Sequence, residues 1–319
     1  MDLDVIIPTY NRCASLERAI RSLLEAPVPS GLRVRIMPVD NRSTDATREV
    51  ILRLAERSGR EIVYLSESQN QGRSFALNKG IEHATGDLIG FIDDDEEIDT
   101  RWYEVIFEQF RDPGIDYIGG PYRPRWAIPP PAWVDHPHTR TAVGWADFGD
   151  TPRVFSDEGY DALLMGGNSV LRRSCFERVG LYCTSLGRTA KRLSAGEDAD
   201  MHDRLIAAGL KGFYRPDLIV DHHIPVERLA KRYMRRWAYW ASASEGVRLG
   251  TNPNSTGPKI LGLPLYHYGN ALRALFRWGA AVLRSEGQAK IFHEELSLWR
   301  FAGRLHGRNL MSQQPVRRP

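Results

Sequence analysis

Five consecutive acids, Asp93-Asp94-Asp95-Glu96-Glu97, follow directly on an apolar stretch, Leu88–Ile92. Carboxylates set that closely repel one another, and a divalent cation offsets the repulsion. Hard oxygen ligands suit Mg²⁺ or Mn²⁺, which take one or two carboxylates and complete their shell with water or substrate phosphates. Read as a solvated acidic turn, the same run needs no metal, so its position in the fold decides between the two. Other segments carry reactive side chains. In Asp40-Asn41-Arg42-Ser43-Thr44-Asp45, Ser43 or Thr44 is suited to cap a helix, which leaves Asp40 over. Asn70-Gln71-Gly72-Arg73 is a loop before a helix, and Arg73 at the helix start could meet phosphate. Glu197-Asp198 opens a helix, an end that favours acids in any protein. Asp221-His222-His223 follows an apolar segment, and a histidine pair there can be structural or ligating. Taken singly, each signal is weak.

What must position these groups is an alternation of strands and helices. Strands are expected at Asp4–Thr9, Arg33–Val39, Glu61–Leu65 and Asp87–Ile92. Helices are expected at Ala14–Leu24, from Ser43 or Thr44 to Leu54, at Arg73–Ala84 and at Thr100–Phe110. That spacing argues for a parallel, doubly wound α/β sheet. Such sheets bind ligands at the carboxyl ends of their strands, where the acid run, Asp40 and Thr9–Asn11 all fall. From Pro121 to Gly159 seven prolines forbid long regular elements. Order resumes at Ala162–Leu171, with a helix at Arg173–Val179, another at Asp198–Ala208, and a strand at Gly212–Val220. After Pro225 the chain is helical and basic.

Composition narrows the class. Of 319 residues, 42% are hydrophobic and 26% charged, a globular balance that excludes wholesale disorder, collagen and coiled coil. Cys13, Cys175 and Cys183 are too few and scattered for a disulfide scaffold or a cysteine-based zinc site, and suit free thiols in a reducing compartment. The opening MDLDVII has acids where a signal peptide carries positive charge, and Leu263–Leu283 is interrupted by His267, Asn270, Arg273 and Arg277. A cytosolic chain is expected. Its formal charge of +3 divides unevenly: residues 1–223 carry net −8 and residues 224–319 net +11.

Motifs in order make the resemblance specific. Val5-Ile6-Ile7-Pro8-Thr9-Tyr10-Asn11-Arg12 resembles the opening strand of family 2 glycosyltransferases, the inverting GT-A fold enzymes of bacterial polysaccharide biosynthesis. Asp40–Asp45 resembles the family's Asp–Ser–Asp segment, Asn70–Gly80 its asparagine- and glycine-bearing helix, and Gly86–Asp95 the strand ending in its DxD motif. Gly166-Gly167-Asn168 and Gly196-Glu197-Asp198 resemble its acceptor-side motifs, the second being the ED motif. The resemblance spans residues 4–223. It implies a Rossmann-like, mostly parallel sheet flanked by helices, with a helical, basic C-terminal extension. It further implies a catalytic domain over 1–223, with about 1–120 on the nucleotide-sugar side and 121–223 on the acceptor side, followed by a helical region at 224–319.

By the same resemblance, Pro8, Thr9, Tyr10, Asn11, Asp40, Asn70 and Arg73 would form the donor site, with Thr9 and Asp40 on the base and Arg73 towards the diphosphate. A carboxylate such as Asp40 accepts the imide N–H of uracil, which favours a UDP-sugar. Asp93 and Asp94 would lie near the ribose. Asp95 would bind Mn²⁺ or Mg²⁺, with His222, rather than His223, completing the metal shell. Inversion needs a base on the acceptor hydroxyl, and Asp198 matches the family's base, with Glu197 its acceptor-binding neighbour. The acceptor would be a hydroxyl of a glycan or lipid-linked glycan. The motif here is DDD, so Asp94 can share in the metal or ribose role.

Two amphipathic segments mark the tail. Leu229, Tyr233, Trp237 and Trp240 form a stripe, with Arg228, Lys231, Arg232 and Arg235 on the other side. Leu272, Leu275, Phe276, Val282 and Leu283 form a second, edged by Arg273, Arg277 and Arg284. The first suits packing on the body. The second suits an anionic membrane surface on the cytoplasmic side, or a partner or homo-oligomer face. Nucleic acid is disfavoured by the acidic body and the lack of a recognised motif. Two rivals stand beside the glycosyltransferase reading. A sugar-1-phosphate nucleotidyltransferase would show a glycine-rich loop where Pro8–Arg12 has none. An inactive glycan-binding or membrane scaffold has no use for the DDD run, Glu197-Asp198 and His222.

Overall fold

The computed structural model describes residues 1–186, 196–251 and 258–313. Its first part repeats strand and helix: β1 (Asp2–Thr9), α1 (Cys13–Glu25), β2 (Arg33–Asp40), α2 (Thr47–Arg57), β3 (Glu61–Ile62), β4 (Leu65–Ser66), α3 (Arg73–His83) and β5 (Leu88–Ile92). The middle carries β6 (Glu96–Ile98), α4 (Trp102–Gln109), β7 (Tyr117–Gly119), β8 (Tyr122–Trp126), α5 (Pro137–Val143), β9 (Arg153–Val154), β10 (Asn168–Arg172) and α6 (Ser174–Val179). Then come α7 (Glu197–Ala207), β11 (Gly212–Tyr214), β12 (Val220–Ile224), α8 (Lys231–Thr251), β13 (Lys259–Ile260), β14 (Leu263–Pro264), α9 (Leu265–Leu283) and α10 (Gln288–Gln313).

The main sheet runs β3-β2-β1-β5-β10-β7-β11-β9, with β4 also on β2. β1 is parallel to β2 and β5, and β7 to β11, while β10 lies antiparallel between β5 and β7. β1 is buried on both faces, which explains its unbroken apolar run. Val5 and Ile7 pack with Leu16, Ile20 and Leu23 of α1, whereas Ile6 faces Leu77 and Ile81 of α3. A smaller sheet, β6-β12-β8, stands over the carboxyl end of β5 and carries the second half of the acid run. Asn168 ties the layers together: its amide donates to Leu218 O (2.6 Å) and Pro121 O (3.1 Å) and accepts from Trp102 Nε1 (3.0 Å).

Several expected boundaries move, for physical reasons. α2 begins at Thr47, and neither Ser43 nor Thr44 caps it. Asp45 supplies the oxygen instead, accepting from Thr47 N at 3.1 Å. Ser43 Oγ accepts from Asn11 N (2.9 Å) and Thr44 N donates to Asn11 Oδ1 (2.7 Å), so both clamp the loops after β1 and β2 together. The strand expected at Glu61–Leu65 is two fragments, β3 and β4. The strand expected at Gly212–Val220 breaks at Arg215-Pro216-Asp217, where Arg215 pairs with Asp217 at 2.8 Å, and its halves join different sheets. The proline-rich region is more regular than its composition suggests. Pro124 is tolerated in β8 because β8 is an edge strand.

In the tail, α8 packs along α10, and Met234 and Ala238 bury against Phe292, Leu296, Trp133 and Val134. The core-facing line of α8 therefore runs through Met234 and Ala238, with Tyr233, Trp237 and Trp240 only half-buried beside it. Arg228 does not lie on a solvent face as its helical spacing suggests. Val226–Leu229 is a 3₁₀ turn, where 100° steps do not apply, and Arg228 points into the body. Among the described residues no helix is long and apolar enough to cross a membrane.

Candidate active site

The carboxyl ends of β1, β2 and β5 open into a cleft of about 840 Å³, counting the part open to solvent. Pro8, Thr9 and Tyr10 line it from β1, Asp93, Asp94 and Asp95 from β5, and Gly72 and Arg73 from the start of α3. The acids are not a solvated turn: Asp94, Asp95 and Glu96 are each less than 10% exposed. Burying carboxylates is costly unless cations and donors meet them, and at Asp94 and Asp95 they do. Thr9 Oγ1 donates to Asp94 Oδ2 at 2.8 Å. Arg12 Nη1 bridges Asp94 Oδ1 (2.9 Å) and Asp95 Oδ2 (2.8 Å). Arg228 Nη2 reaches the same Asp95 oxygen at 2.9 Å. Burial pushes Asp94 up to about 6, against the pull of Arg12. Burial acts on Asp95 too, but His222 and Arg228 outweigh it and hold this carboxyl well below its usual range. Glu96, buried beside Asp93 and Asp95, lies well above that range.

His222 and His223 separate cleanly. Side chains alternate along β12, so His222 faces the acids, its Nε2 3.4 Å from Asp95 Oδ1, while His223 Nε2 meets Glu97 Oε1 at 2.6 Å. His222 Nδ1 donates to Gly144 O at 2.7 Å, and its Nε2 accepts from Arg228 Nη1 at 2.9 Å. That pairing fixes the tautomer and the ring orientation, with the Nε2 lone pair committed to Arg228 beside Asp95. Gly144 has φ +105°, and a β-carbon there would come 2.0 Å from the His222 ring, so only glycine lets the loop approach.

The Glu197-Asp198 pair meets the cleft wall through Arg73. Arg73 Nη2 pairs with Asp93 Oδ1 at 2.9 Å, and its Nη1 lies 3.0 Å from Asp198 Oδ1 and 3.4 Å from Glu197 Oε1. The three carboxylates hold the guanidinium's pKa well above its ordinary value although burial opposes them. Gly166 backs this corner: a β-carbon there would lie 2.0 Å from Asp198 Oδ1.

Asp40 and Asn70 stand just outside the lining. Asp40 Oδ1 accepts from Ser43 N (2.8 Å) and Oδ2 from Tyr64 Oη (3.1 Å). Asn70 contributes its carbonyl, which accepts from Asn41 Nδ2 at 2.7 Å, while Asn41 Oδ1 accepts from Gly72 N at 2.7 Å. Asn11, at φ +52°, joins the loops and does not reach the cleft wall.

Among the described residues no three histidine, cysteine or acidic side chains converge as a ready metal cage. The donor chemistry nevertheless fits a hard divalent ion. Asp95 and the oriented imidazole of His222 give an oxygen and a nitrogen in one corner, and Mg²⁺ or Mn²⁺ commonly takes few protein ligands and fills its shell from phosphates.

Arg12, Asn41, Gln71, Gly72 and Arg228 line the cleft without having been singled out from the sequence. The first four lie within or beside recognisable motifs. Arg228 carried no local signal, because its partner Asp95 is 133 positions away.

A strand-end cleft in a mostly parallel sheet, walled by buried acids and by an arginine that reaches a helix-opening acid pair, is the architecture of a GT-A glycosyltransferase. Residues 4–180 match the sequence profile of Glycosyl transferase family 2, and the chain belongs to that family. It is 28% identical over 273 residues to the succinoglycan biosynthesis protein ExoM of Rhizobium meliloti, covering 81% of this chain and 82% of that protein. It is 33% identical over 96 residues to the GalNAc(5)-diNAcBac-PP-undecaprenol beta-1,3-glucosyltransferase of Campylobacter jejuni, 30% of each chain. The fold matches the mannosyltransferase PcManGT of Pyrobaculum calidifontis, solved with GDP-Man and Mn²⁺. The TM-score is 0.61 at 19% identity, over 98% of this chain and 88% of that one. The protein is a glycosyltransferase.

Proposed function

We propose that the chain moves a sugar, with inversion, from a UDP-sugar to a hydroxyl of a glycan or lipid-linked glycan. The observation that carries this is Arg73. One guanidinium on the cleft wall touches both Asp93 at the end of β5 and Asp198 at the start of α7, which supports reading the two carboxylates as parts of one site.

In this reading Pro8, Thr9 and Tyr10 shape the base pocket, while Asn11 holds the loops behind it together and Asn70 braces its far side. Asp40 accepts the imide N–H of uracil, since a carboxylate oxygen accepts more than one hydrogen bond. Asp93 and Asp94 hold the ribose, and Arg73 orients the diphosphate. Asp95 and His222 hold Mn²⁺ or Mg²⁺, whose charge, when it is bound, stabilises the diphosphate leaving group. Asp198 takes the proton from the acceptor hydroxyl as that oxygen attacks the anomeric carbon and the bond to the diphosphate oxygen breaks. Glu197 holds the acceptor beside it. The catalytic unit is residues 1–223, although Arg228, just beyond, also lines the cleft. A lipid-linked acceptor places the work at the cytoplasmic face of a membrane.

The experiment is donor hydrolysis across a panel of nucleotide-sugars, GDP-mannose included, with and without Mn²⁺. Metal-dependent turnover of a UDP-sugar supports the reading. Turnover of a GDP-sugar alone overturns the base assignment, and no turnover of any donor returns the inactive scaffold.

A further inference from the structure

Among the described residues, most large apolar side chains that remain exposed lie between Ile260 and Leu283. On a helical wheel Leu265, Leu272, Phe276 and Leu283, with Gly269 and Gly279 between them, fall within about 40° of one line along α9. Leu272 is 58% exposed, Phe276 76% and Leu283 87%. No charged residue interrupts the line. Leu275 and Val282 widen it on one side, and Arg273, Arg277 and Arg284 edge it on the other. The opposite face, with His267, Ala274 and Ala281, is buried, and α9 packs there against α10. At the N-terminal end the β13–β14 turn adds Ile260 and Leu261, 51% and 67% exposed. Tyr268 Oη donates to Ile260 O at 2.6 Å and holds that turn to the helix. Scattered exposed leucines are ordinary, but a continuous stripe along one helix marks a surface that something covers.

We propose that this face of α9, with the Ile260-Leu261 turn, docks in the plane of an anionic bilayer. The apolar stripe sinks below the headgroups and the arginine edge meets lipid phosphates. Charge selects this occupant. Arg277 already pairs with Glu294 (2.9 Å), whereas Arg273 and Arg284 have no acidic partner among the described residues. The net +11 of residues 224–319, against −8 for the rest, turns the tail towards a negative surface on approach. The helix lies along the membrane and does not cross it, because its other face is committed to α10. The docking surface is separate from the cleft and holds whichever sugar is moved.

Flotation of the full chain with phosphatidylcholine vesicles, and with the same lipid mixed with phosphatidylglycerol, tests this without any nucleotide-sugar. The intact protein is expected to float with the mixed vesicles only, and salt should weaken the binding. Phe276→Asp with Leu283→Asp changes two solvent-exposed positions, so the melting temperature should hold while binding falls at least about tenfold. Arg273→Gln and Arg284→Gln should each cost about fivefold on anionic vesicles. Equal flotation on both lipids, or unchanged binding by the aspartate pair, overturns the proposal. So does a dimer in solution that the aspartate pair turns into a monomer without any lipid preference, which would make the stripe a subunit interface.

Discussion

Arg73 Nη1 and Asp198 Oδ1 lie 3.0 Å apart although 125 positions separate them in the chain. The contact ties the acid that opens α7 to the same guanidinium that meets Asp93 at the end of β5.

Asp198→Asn preserves shape and hydrogen bonding but removes basicity. If Asp198 is the base, kcat should fall by about 10²–10⁴ while UDP binding stays within a few fold. Asparagine caps a helix as well as aspartate does. A purely structural Asp198 therefore predicts nearly full transfer, and steady-state kinetics separates the two.

Asp95→Ala should show the reverse order of damage. Arg12 and Arg228 lose a shared partner, the fold survives, and Mn²⁺-dependent UDP binding disappears in calorimetry. Metal-dependent affinity at the level of the unmodified protein would remove Asp95 from the metal site.

Arg228→Met keeps the side-chain stem and removes the guanidinium, leaving Asp95 and His222 without a buried donor. A stability loss of about 1–3 kcal/mol is expected in urea titration, with weaker UDP binding. Unchanged values on both counts would mean that Arg12 alone neutralises the acids.

Gly166→Ala puts a methyl group where Asp198 Oδ1 now sits, 2.0 Å from the new carbon. Transfer should collapse with donor affinity nearly intact, the pattern expected for Asp198→Asn. Joint loss of donor binding would show that the displaced carboxylate drags Arg73 with it.

His202 makes stability depend on pH away from the cleft. Burial between Tyr117 and Phe155 lowers its pKa to about 4, against about 6.5 when unfolded. Between those values the unfolded chain binds a proton that the folded chain refuses. The stabilisation is full above pH 6.5 and is lost as pH falls through that window, by up to about 3 kcal/mol at pH 4. His202→Phe should flatten the acid limb of a urea-midpoint profile. An unaltered slope would assign the acid sensitivity elsewhere.

The strands that matter most were legible because each is short, apolar and ended by a group with no place in a core. Leu88–Ile92 followed by Asp93 is the clearest case, and Glu197-Asp198 stood out as an acid pair at a helix start. The break between β11 and β12 was hidden because Phe213 and Tyr214 run on to Leu218 and Val220 with only the short Arg215-Pro216-Asp217 segment after Tyr214. Arg12 and Arg228 were hidden for a different reason. A cation's local surroundings say that it is soluble, and only the fold says which carboxylate it meets. The same holds for Ser43 and Thr44, whose partner is Asn11 in the neighbouring loop and not their own helix.

Strand β12 acts as a ruler with two sides. His222 looks into the cleft and His223 looks at Glu97 only because the pairing with β6 and β8 fixes the register, His222 opposite Glu96 and Pro124. Inserting or deleting one residue between Asp95 and His222, if it slid the strand, would exchange the two rings and leave Gly144 facing the wrong neighbour. Among natural variants of this chain, changes of length should therefore collect in the turn at Arg215–Leu218, where they can be absorbed, and be purged from Val220–Ile224.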